Sequence, residues 1–231
     1  MKIQKPNTSF QIVAHRGLSQ KYPENTLEGF KAALMQHIDM LEIDVHFTKD
    51  KQLVVIHDDS IDRTSNQKGK VKDFTLEELK QFDFGIKHGE SFKNTCISTF
   101  SEVLSLFKKY SKTLLIEIKK PEQYPGIEKA LLEELDKFQI PSHRVVIQSF
   151  DVESVKKMSE YTKKYALGVL ISKKQYWYKQ PDYENIASFA QFINPNYKLI
   201  NKKFIKRAHE HHLKVIPYTC LLYTSDAADD T

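Results

Sequence analysis

The chain has 231 residues, of which 40% are hydrophobic, and a formal net charge of +5. This length suits one large domain or two small ones with an ordinary globular core. No apolar run approaches the ~18 residues of a membrane span, and the N-terminus MKIQKPNTSF lacks the apolar segment of a signal peptide. We therefore expect a cytoplasmic protein without stable membrane insertion. The basic residues are scattered among acidic ones, so we expect no nucleic-acid partner.

Short apolar runs alternate with longer amphipathic segments along the chain. Strands are predicted over 12–14, 41–47, 53–58, 114–119, 145–150, 166–171, 192–196 and 213–218. Helices are predicted from 27 to 38, at 75–79, from 99 to about 109, and over 126–138, 152–161, 183–191 and 201–212. Three helix starts fit a capping box: Asn25 with Glu28, Thr75 with Glu78, and Thr99 with Glu102.

Repeated strand–helix alternation predicts a parallel sheet, because parallel strands need crossover helices. About seven such units are present, one short of a (β/α)₈ barrel. Residues 58–98 are more irregular and look like an insertion after the second strand. We find no linker or repeat that would separate a second domain, so residues 1–219 are predicted to form one domain.

The last twelve residues, CLLYTSDAADDT, do not continue this pattern. They resemble a translated sequencing adapter, so residues 220–231 are predicted to be a non-native tail and are excluded from the fold argument. A barrel interrupted at residue 219 is expected to lack its last strand and helix.

Polar residues stand at the ends of five predicted strands, in the runs IVAH, LEID, VVIH, LLIEIK and VVIQS. In a parallel barrel these ends converge on the face that carries the active site. Glu42 and Asp44 are two residues apart and therefore point to the same face of a strand. If the strand of Glu117 is their neighbour, three carboxylates meet, and a divalent cation would offset their repulsion. All-oxygen ligands favour Mg²⁺ or Ca²⁺.

Two histidines, His15 and His57, add acid–base capacity near pH 7. Two imidazoles that face one metal suit attack on a phosphodiester, where one activates the nucleophile and the other protonates the leaving alkoxide. Arg16 and Lys119 are suited to hold phosphate oxygens.

These residues carry a family resemblance. The segments HRG (15–17), PENT (23–26), Glu42-x-Asp44, TKD (48–50), VIHD (55–58), DRT (62–64), IEIK (116–119) and QSF (148–150), in this order, resemble the glycerophosphodiester phosphodiesterase family. The likeness runs from about Gln11 to Thr219.

The resemblance implies a TIM barrel, one divalent cation, and hydrolysis of glycerophosphodiesters such as glycerophosphocholine to sn-glycerol 3-phosphate and an alcohol. It implies metal ligands Glu42, Asp44 and Glu117, catalytic residues His15 and His57, and substrate-binding residues Arg16, Lys119 and Gln148.

One departure from the family pattern is Tyr218, which stands where the family usually has Trp. Two alternatives stay open: a phospholipase D-like activity on lysophospholipid or sphingolipid on the same scaffold, and an inactive fragment. The sequence does not indicate the oligomeric state.

Overall fold

The computed structural model describes residues 11–218, which contain nine strands and eight α-helices. The strands are β1 (Val13–His15), β2 (Met40–Phe47), β3 (Leu53–Val55), β4 (Ser98–Thr99), β5 (Thr113–Ile118), β6 (Val145–Ser149), β7 (Ala166–Ile171), β8 (Phe192–Pro195) and β9 (Lys214–Val215). The helices are α1 (Leu27–Leu34), α2 (Leu76–Lys80), α3 (Phe100–Phe107), α4 (Ile127–Lys137), α5 (Val152–Tyr161), α6 (Lys173–Tyr176), α7 (Tyr183–Ala187) and α8 (Lys202–Glu210). The predicted tail at 220–231 lies outside the described residues.

Seven strands form one parallel array in the order β1-β2-β5-β6-β7-β8-β9. The order follows the chain, apart from β3 and β4, and helices connect the successive strands. This is the arrangement predicted for a TIM barrel, whose carboxyl strand ends share one face.

The prediction of a parallel strand over 53–58 is wrong. β3 pairs antiparallel with the last residues of β2 and with β4. Residue Val45 of β2 pairs with β5 on one side and with β3 on the other. β3 therefore extends the sheet beyond the end of β1, along the same edge of β2, so the insertion leaves the barrel before residue 58.

The interior is divided into one large core and one small core. The large core fills the space between the parallel strands and their helices, and includes the fully buried Phe30, Phe100 and Phe107. The small core belongs to the insertion and consists of Val54, Ile56, Ile61, Val71, Leu79, Phe84 and Ile97. The insertion is thus a packed unit at the strand ends.

The helix starts agree with the predicted capping boxes in two of three places. Thr75 with Glu78 and Thr99 with Glu102 form both reciprocal hydrogen bonds. The third prediction is wrong, because Thr26 and not Asn25 caps α1, by accepting a hydrogen bond from the backbone of Gly29. The helices predicted to reach 109 and 191 end earlier, at Phe107 and Ala187.

In residues 11–218 we find no helix with the length and apolar character needed to cross a bilayer.

Candidate active site

Three buried carboxylates meet at the carboxyl ends of two neighbouring strands. Glu42 and Asp44 lie on β2, Glu117 lies on β5, and Asp44 and Glu117 are direct register partners. One oxygen from each lies within 4.8 Å of the other two. The side chains point to one face because alternate residues of a strand do so. The period-two spacing of Glu42 and Asp44, with Glu117 on a neighbouring strand, predicted this cluster.

The cluster fits a divalent cation. Burial, with the charges of Asp44 and Glu117, raises the pKa of Glu42 well above its usual range. Burial also raises the pKa of Glu117 to about 7, although Lys119 opposes this effect. Among residues 11–218, Oδ1 of Asp44 is buried without a hydrogen-bond partner. Buried carboxylate oxygens that lack a donor are the ligands that hard cations prefer.

Two cations of the protein lie against the carboxylates. Nζ of Lys119 is 2.6 Å from Oε1 of Glu117 and 3.6 Å from Oδ1 of Asp44. The backbone N–H of Arg16 donates to Glu42 at 2.9 Å, and its Nε lies 3.5 Å from Oδ2 of Asp44. The local charge is therefore near −1 when all three carboxylates are ionised.

Asn25 is a site residue that the sequence argument used only as a helix cap. Its Nδ2 donates to Oδ2 of Asp44 at 3.0 Å, and its backbone N–H donates to the carbonyl of Arg16. Both Asn25 and Arg16 have a φ of 56°, in the left-handed region. This backbone conformation directs both side chains toward Asp44, so Asn25 does not cap the helix. The PENT motif contained Asn25, but helical spacing suggested only the cap.

His15 ends β1 beside Glu42, its register partner, and its Nε2 lies 4.0 Å from Oε2 of that carboxylate. Burial lowers the pKa of His15 to about 4, and the neighbouring Arg16 adds to the effect. The imidazole is therefore neutral at pH 7 and able to accept a proton.

His57 reaches the site from the insertion and not from a parallel strand. Its Nδ1 donates to Oδ1 of Asp58 at 2.6 Å. Burial lowers the pKa of His57, and the nearby Asp44 charge partly opposes this change. Since Asp58 holds the Nδ1 proton, a neutral His57 has its lone pair on Nε2.

A chain of ion pairs connects Arg16, beside the carboxylates, with Asp58, the partner of His57. Arg63 donates to Asp58 at 2.7 Å and to both oxygens of Glu24 at 2.7 and 2.8 Å. Glu24 also accepts from Arg16 at 3.2 Å. Burial raises the pKa of Asp58, but hydrogen bonds from Arg63 and His57 outweigh it and hold that pKa at about 2. The DRT motif contained Arg63, but nothing in the spacing indicated this partner set.

His46 holds the backbone of His57 by a hydrogen bond to its carbonyl. It follows Glu42 and Asp44 at the next alternate position of β2 and is fully buried. Its Nε2 lies 3.2 Å from the carbonyl of His57, and its Nδ1 lies 3.0 Å from the hydroxyl of Tyr124. A carbonyl only accepts, so Nε2 carries a proton. Neither His46 nor Tyr124 was predicted from the sequence as a site residue.

Gln148 lies on β6 as the register partner of Glu117 and is buried. Its Oε1 accepts from Asn194 of β8 at 2.7 Å. Asn194 is a buried polar residue at a strand end that the sequence argument did not select.

A comparison with protein families identifies the chain. Residues 15–229 match the model described as the glycerophosphoryl diester phosphodiesterase family. The chain belongs to this family. Its matched span includes every residue of the site described above, so the predicted membership in this enzyme family is confirmed.

Known members of the family agree with this assignment. A glycerophosphodiester phosphodiesterase from Caldanaerobacter subterraneus subsp. tengcongensis is 39% identical over 212 residues, covering 90% of this chain and 84% of the relative. A phosphodiesterase structure from Oleispira antarctica, in complex with the product sn-glycerol-3-phosphate, has a TM-score of 0.82 at 25% identity and covers 91% of this chain and 85% of its own.

A third comparison is with a glycerophosphodiester phosphodiesterase structure from Thermotoga maritima, with a TM-score of 0.72 and 26% identity. It covers 92% of this chain and 87% of its own. The predicted TIM-barrel fold class is therefore confirmed by strand order and by structural similarity.

Proposed function

We propose that the protein hydrolyses glycerophosphodiesters to sn-glycerol 3-phosphate and an alcohol, with one divalent cation held by Glu42, Asp44 and Glu117. The observation that carries the proposal is the cluster of three buried carboxylates, one of whose oxygens, Oδ1 of Asp44, has no hydrogen-bond donor among residues 11–218. The Caldanaerobacter subterraneus relative carries the name of this activity, and the Oleispira antarctica structure contains the product sn-glycerol-3-phosphate.

The cation, Mg²⁺ or Ca²⁺, would polarise the phosphoryl group and lower the pKa of a hydroxyl bound to it. Glu42, Asp44 and Glu117 supply the oxygens that hold such an ion. Asn25 keeps Oδ2 of Asp44 in a hydrogen bond, so its Oδ1 stays available on the other side. We infer that Asn25 orients this carboxylate as a ligand.

Arg16 and Lys119 neutralise the substrate anion. Both are largely buried against the carboxylates, with side chains 18% and 13% exposed, so their charges act in a medium of low dielectric constant. A planar guanidinium contacts two phosphate oxygens at once, whereas the ammonium acts as a point charge. Gln148 adds a neutral amide beside Glu117.

His15 and His57 exchange protons with the reacting oxygens. One imidazole takes the proton from the attacking hydroxyl as the new P–O bond forms. The other gives a proton to the alcohol oxygen as its P–O bond breaks. Asp58 holds Nδ1 of His57, which leaves Nε2 for this exchange. Removal of either imidazole is expected to slow turnover ~10²–10⁴-fold.

Two nucleophiles are compatible with these residues: water, or the 2-hydroxyl of the substrate's own glycerol. The second would form a cyclic glycerol phosphate, which water then opens. ³¹P NMR of the reaction distinguishes the two routes, because the cyclic ester accumulates or is trapped only along the second.

The proposal is tested by assaying the full chain against glycerophosphocholine, lysophosphatidylcholine and sphingomyelin, with a divalent cation and with EDTA. We expect cation-dependent release of choline from glycerophosphocholine. Turnover of the lipids alone would favour the phospholipase D-like alternative. No turnover of any substrate by a folded, cation-loaded protein would contradict the proposal.

A further inference from the structure

A line of hydrogen bonds fixes the orientation of the Gln148 side chain. It starts at the backbone of Ile216, just after β9, and crosses from β8 to β6 on the inner face of the sheet. The backbone N–H of Ile216 donates to Oδ1 of Asn194 at 3.0 Å, and Nδ2 of Asn194 donates to Oε1 of Gln148 at 2.7 Å.

The direction of these bonds follows from donor chemistry. A backbone N–H only donates, so the oxygen of Asn194 must face Ile216. The NH₂ group of Asn194 then faces Gln148 and can only donate to it, so Gln148 presents its oxygen to Asn194. The remaining polar atom of Gln148, Nε2, has no hydrogen-bond partner among residues 11–218.

Gly168 leaves the space through which Asn194 reaches Gln148. It lies on β7, between the two strands, and is the register partner of Gln148. A Cβ atom at this position would stand 3.1 Å from Nδ2 of Asn194 and 3.1 Å from Cβ of Phe192. Its φ is not in the left-handed region, so the glycine is needed here for space and not for backbone conformation.

We propose that Asn194 is a positioning residue that commits Gln148 as a hydrogen-bond donor to the substrate. This inference rests on the proposed function, because the acceptors are the anionic phosphate and hydroxyl oxygens of a glycerophosphodiester. Phosphate oxygens only accept hydrogen bonds. A Gln148 side chain rotated by half a turn would present its carbonyl oxygen to the anion and repel it.

A double-mutant cycle between Asn194 and Gln148 tests the coupling. Asn194→Asp keeps the acceptor for Ile216 but loses the donor, so the Gln148 NH₂ group turns to the new carboxylate and away from the substrate. We expect KM for glycerophosphocholine, and the inhibition constant of sn-glycerol 3-phosphate, to rise about tenfold or more, which corresponds to ~1.4 kcal/mol. The change in kcat should be smaller.

The same substitution in a Gln148→Met background measures the charge effect of the aspartate alone. In the Gln148→Met background we expect Asn194→Asp to raise KM by a clearly smaller factor. If Asn194→Asp raised KM by the same factor in both backgrounds, the inference would be overturned. Gly168→Ala provides a second variant without a charge change, and it should raise KM several-fold in the wild-type background and little in Gln148→Met. Thermal melts of each variant verify folding.

An NMR measurement tests the orientation independently of activity. We expect a through-hydrogen-bond coupling from Nδ2 of Asn194 to the side-chain carbonyl carbon of Gln148. A coupling in the opposite direction, or none, would overturn the inference even in an active enzyme. If the coupling is present but the protein hydrolyses no glycerophosphodiester, the proposed function fails. Inorganic phosphate should then still shift the Gln148 NH₂ resonances, and unshifted resonances would overturn the positioned donor.

Discussion

Replacing Glu117 by glutamine should stabilise the cation-free protein while removing a cation ligand. Burial raises the pKa of this carboxyl from 4.5 to about 7. Since the folded pKa lies above the unfolded one, protonation favours folding, and this contribution to stability is lost as pH rises through 7. Above both pKa values, the ionised carboxylate costs the folded state ~3 kcal/mol. Glutamine resembles the protonated form and avoids this cost.

The effect can be measured by thermal or urea unfolding in EDTA. At pH 8 we expect Glu117→Gln to unfold at a higher temperature by roughly 6–12 °C, since ~1 kcal/mol shifts Tm by about 2–4 °C in a chain of this size. At pH 5 the difference should shrink to about a quarter, because the folded carboxyl is protonated there while the unfolded one, with a pKa of 4.5, is still mostly ionised, and below pH 4 it should vanish.

A matched control is Glu122→Gln, which changes an exposed glutamate just after the same strand. It should leave Tm unchanged at both pH values. Added divalent cation should stabilise the wild type and the control but not Glu117→Gln. A Glu117→Gln protein that is less stable than the wild type at pH 8 in EDTA would refute the argument from burial.

Four further predictions follow from the same site. Glu42→Gln should weaken divalent-cation affinity by at least ~10–100-fold, which is the loss typical of residues that only hydrogen-bond to a metal ligand. The control Glu28→Gln, which changes an exposed glutamate, should leave the affinity unchanged. Calorimetric titration measures both affinities. His57→Ala should lower kcat ~10²-fold or more while leaving the melting temperature unchanged. The control His37→Ala, which changes an exposed histidine, should leave kcat unchanged. Asp58→Ala should lower kcat with little change in KM, because His57 loses the partner of Nδ1. Cation binding displaces protons from the carboxylate ligands, so below pH 7 the cation affinity should fall about tenfold per pH unit for each proton displaced.

Each of these can be contradicted. An unchanged cation titration would remove Glu42 from the ligand set, and near-normal turnover would remove His57 from catalysis. A rise in KM with unchanged kcat would make Asp58 a binding residue. A cation affinity that is flat between pH 5.5 and 7 would show that no ligand titrates in that range.

The strand ends and the carboxylate cluster were predictable because period-two spacing fixes the face on which a side chain lies. Glu42 and Asp44 needed only their own strand, and Glu117 needed only that its strand be the neighbour. The helix caps at Thr75 and Thr99 were predictable for a similar reason, since the capping box is a contact within four residues.

The remaining features depended on contacts that local spacing does not encode. Asn25 looked like a helix cap, but its left-handed backbone turns it toward Asp44. The strand before His57 looked parallel because apolar runs carry no direction of their own. Arg63 and Asn194 act across 39 and 46 residues of sequence, respectively, so only the folded chain reveals their partners.

The most direct test of the central claim is to strip the protein with EDTA, restore a divalent cation in measured amounts, and follow hydrolysis of glycerophosphocholine. The account predicts no turnover in EDTA and recovery that saturates at one tightly bound ion per chain, with Glu117→Gln failing to recover at that concentration. Full turnover by the stripped wild-type protein would contradict it.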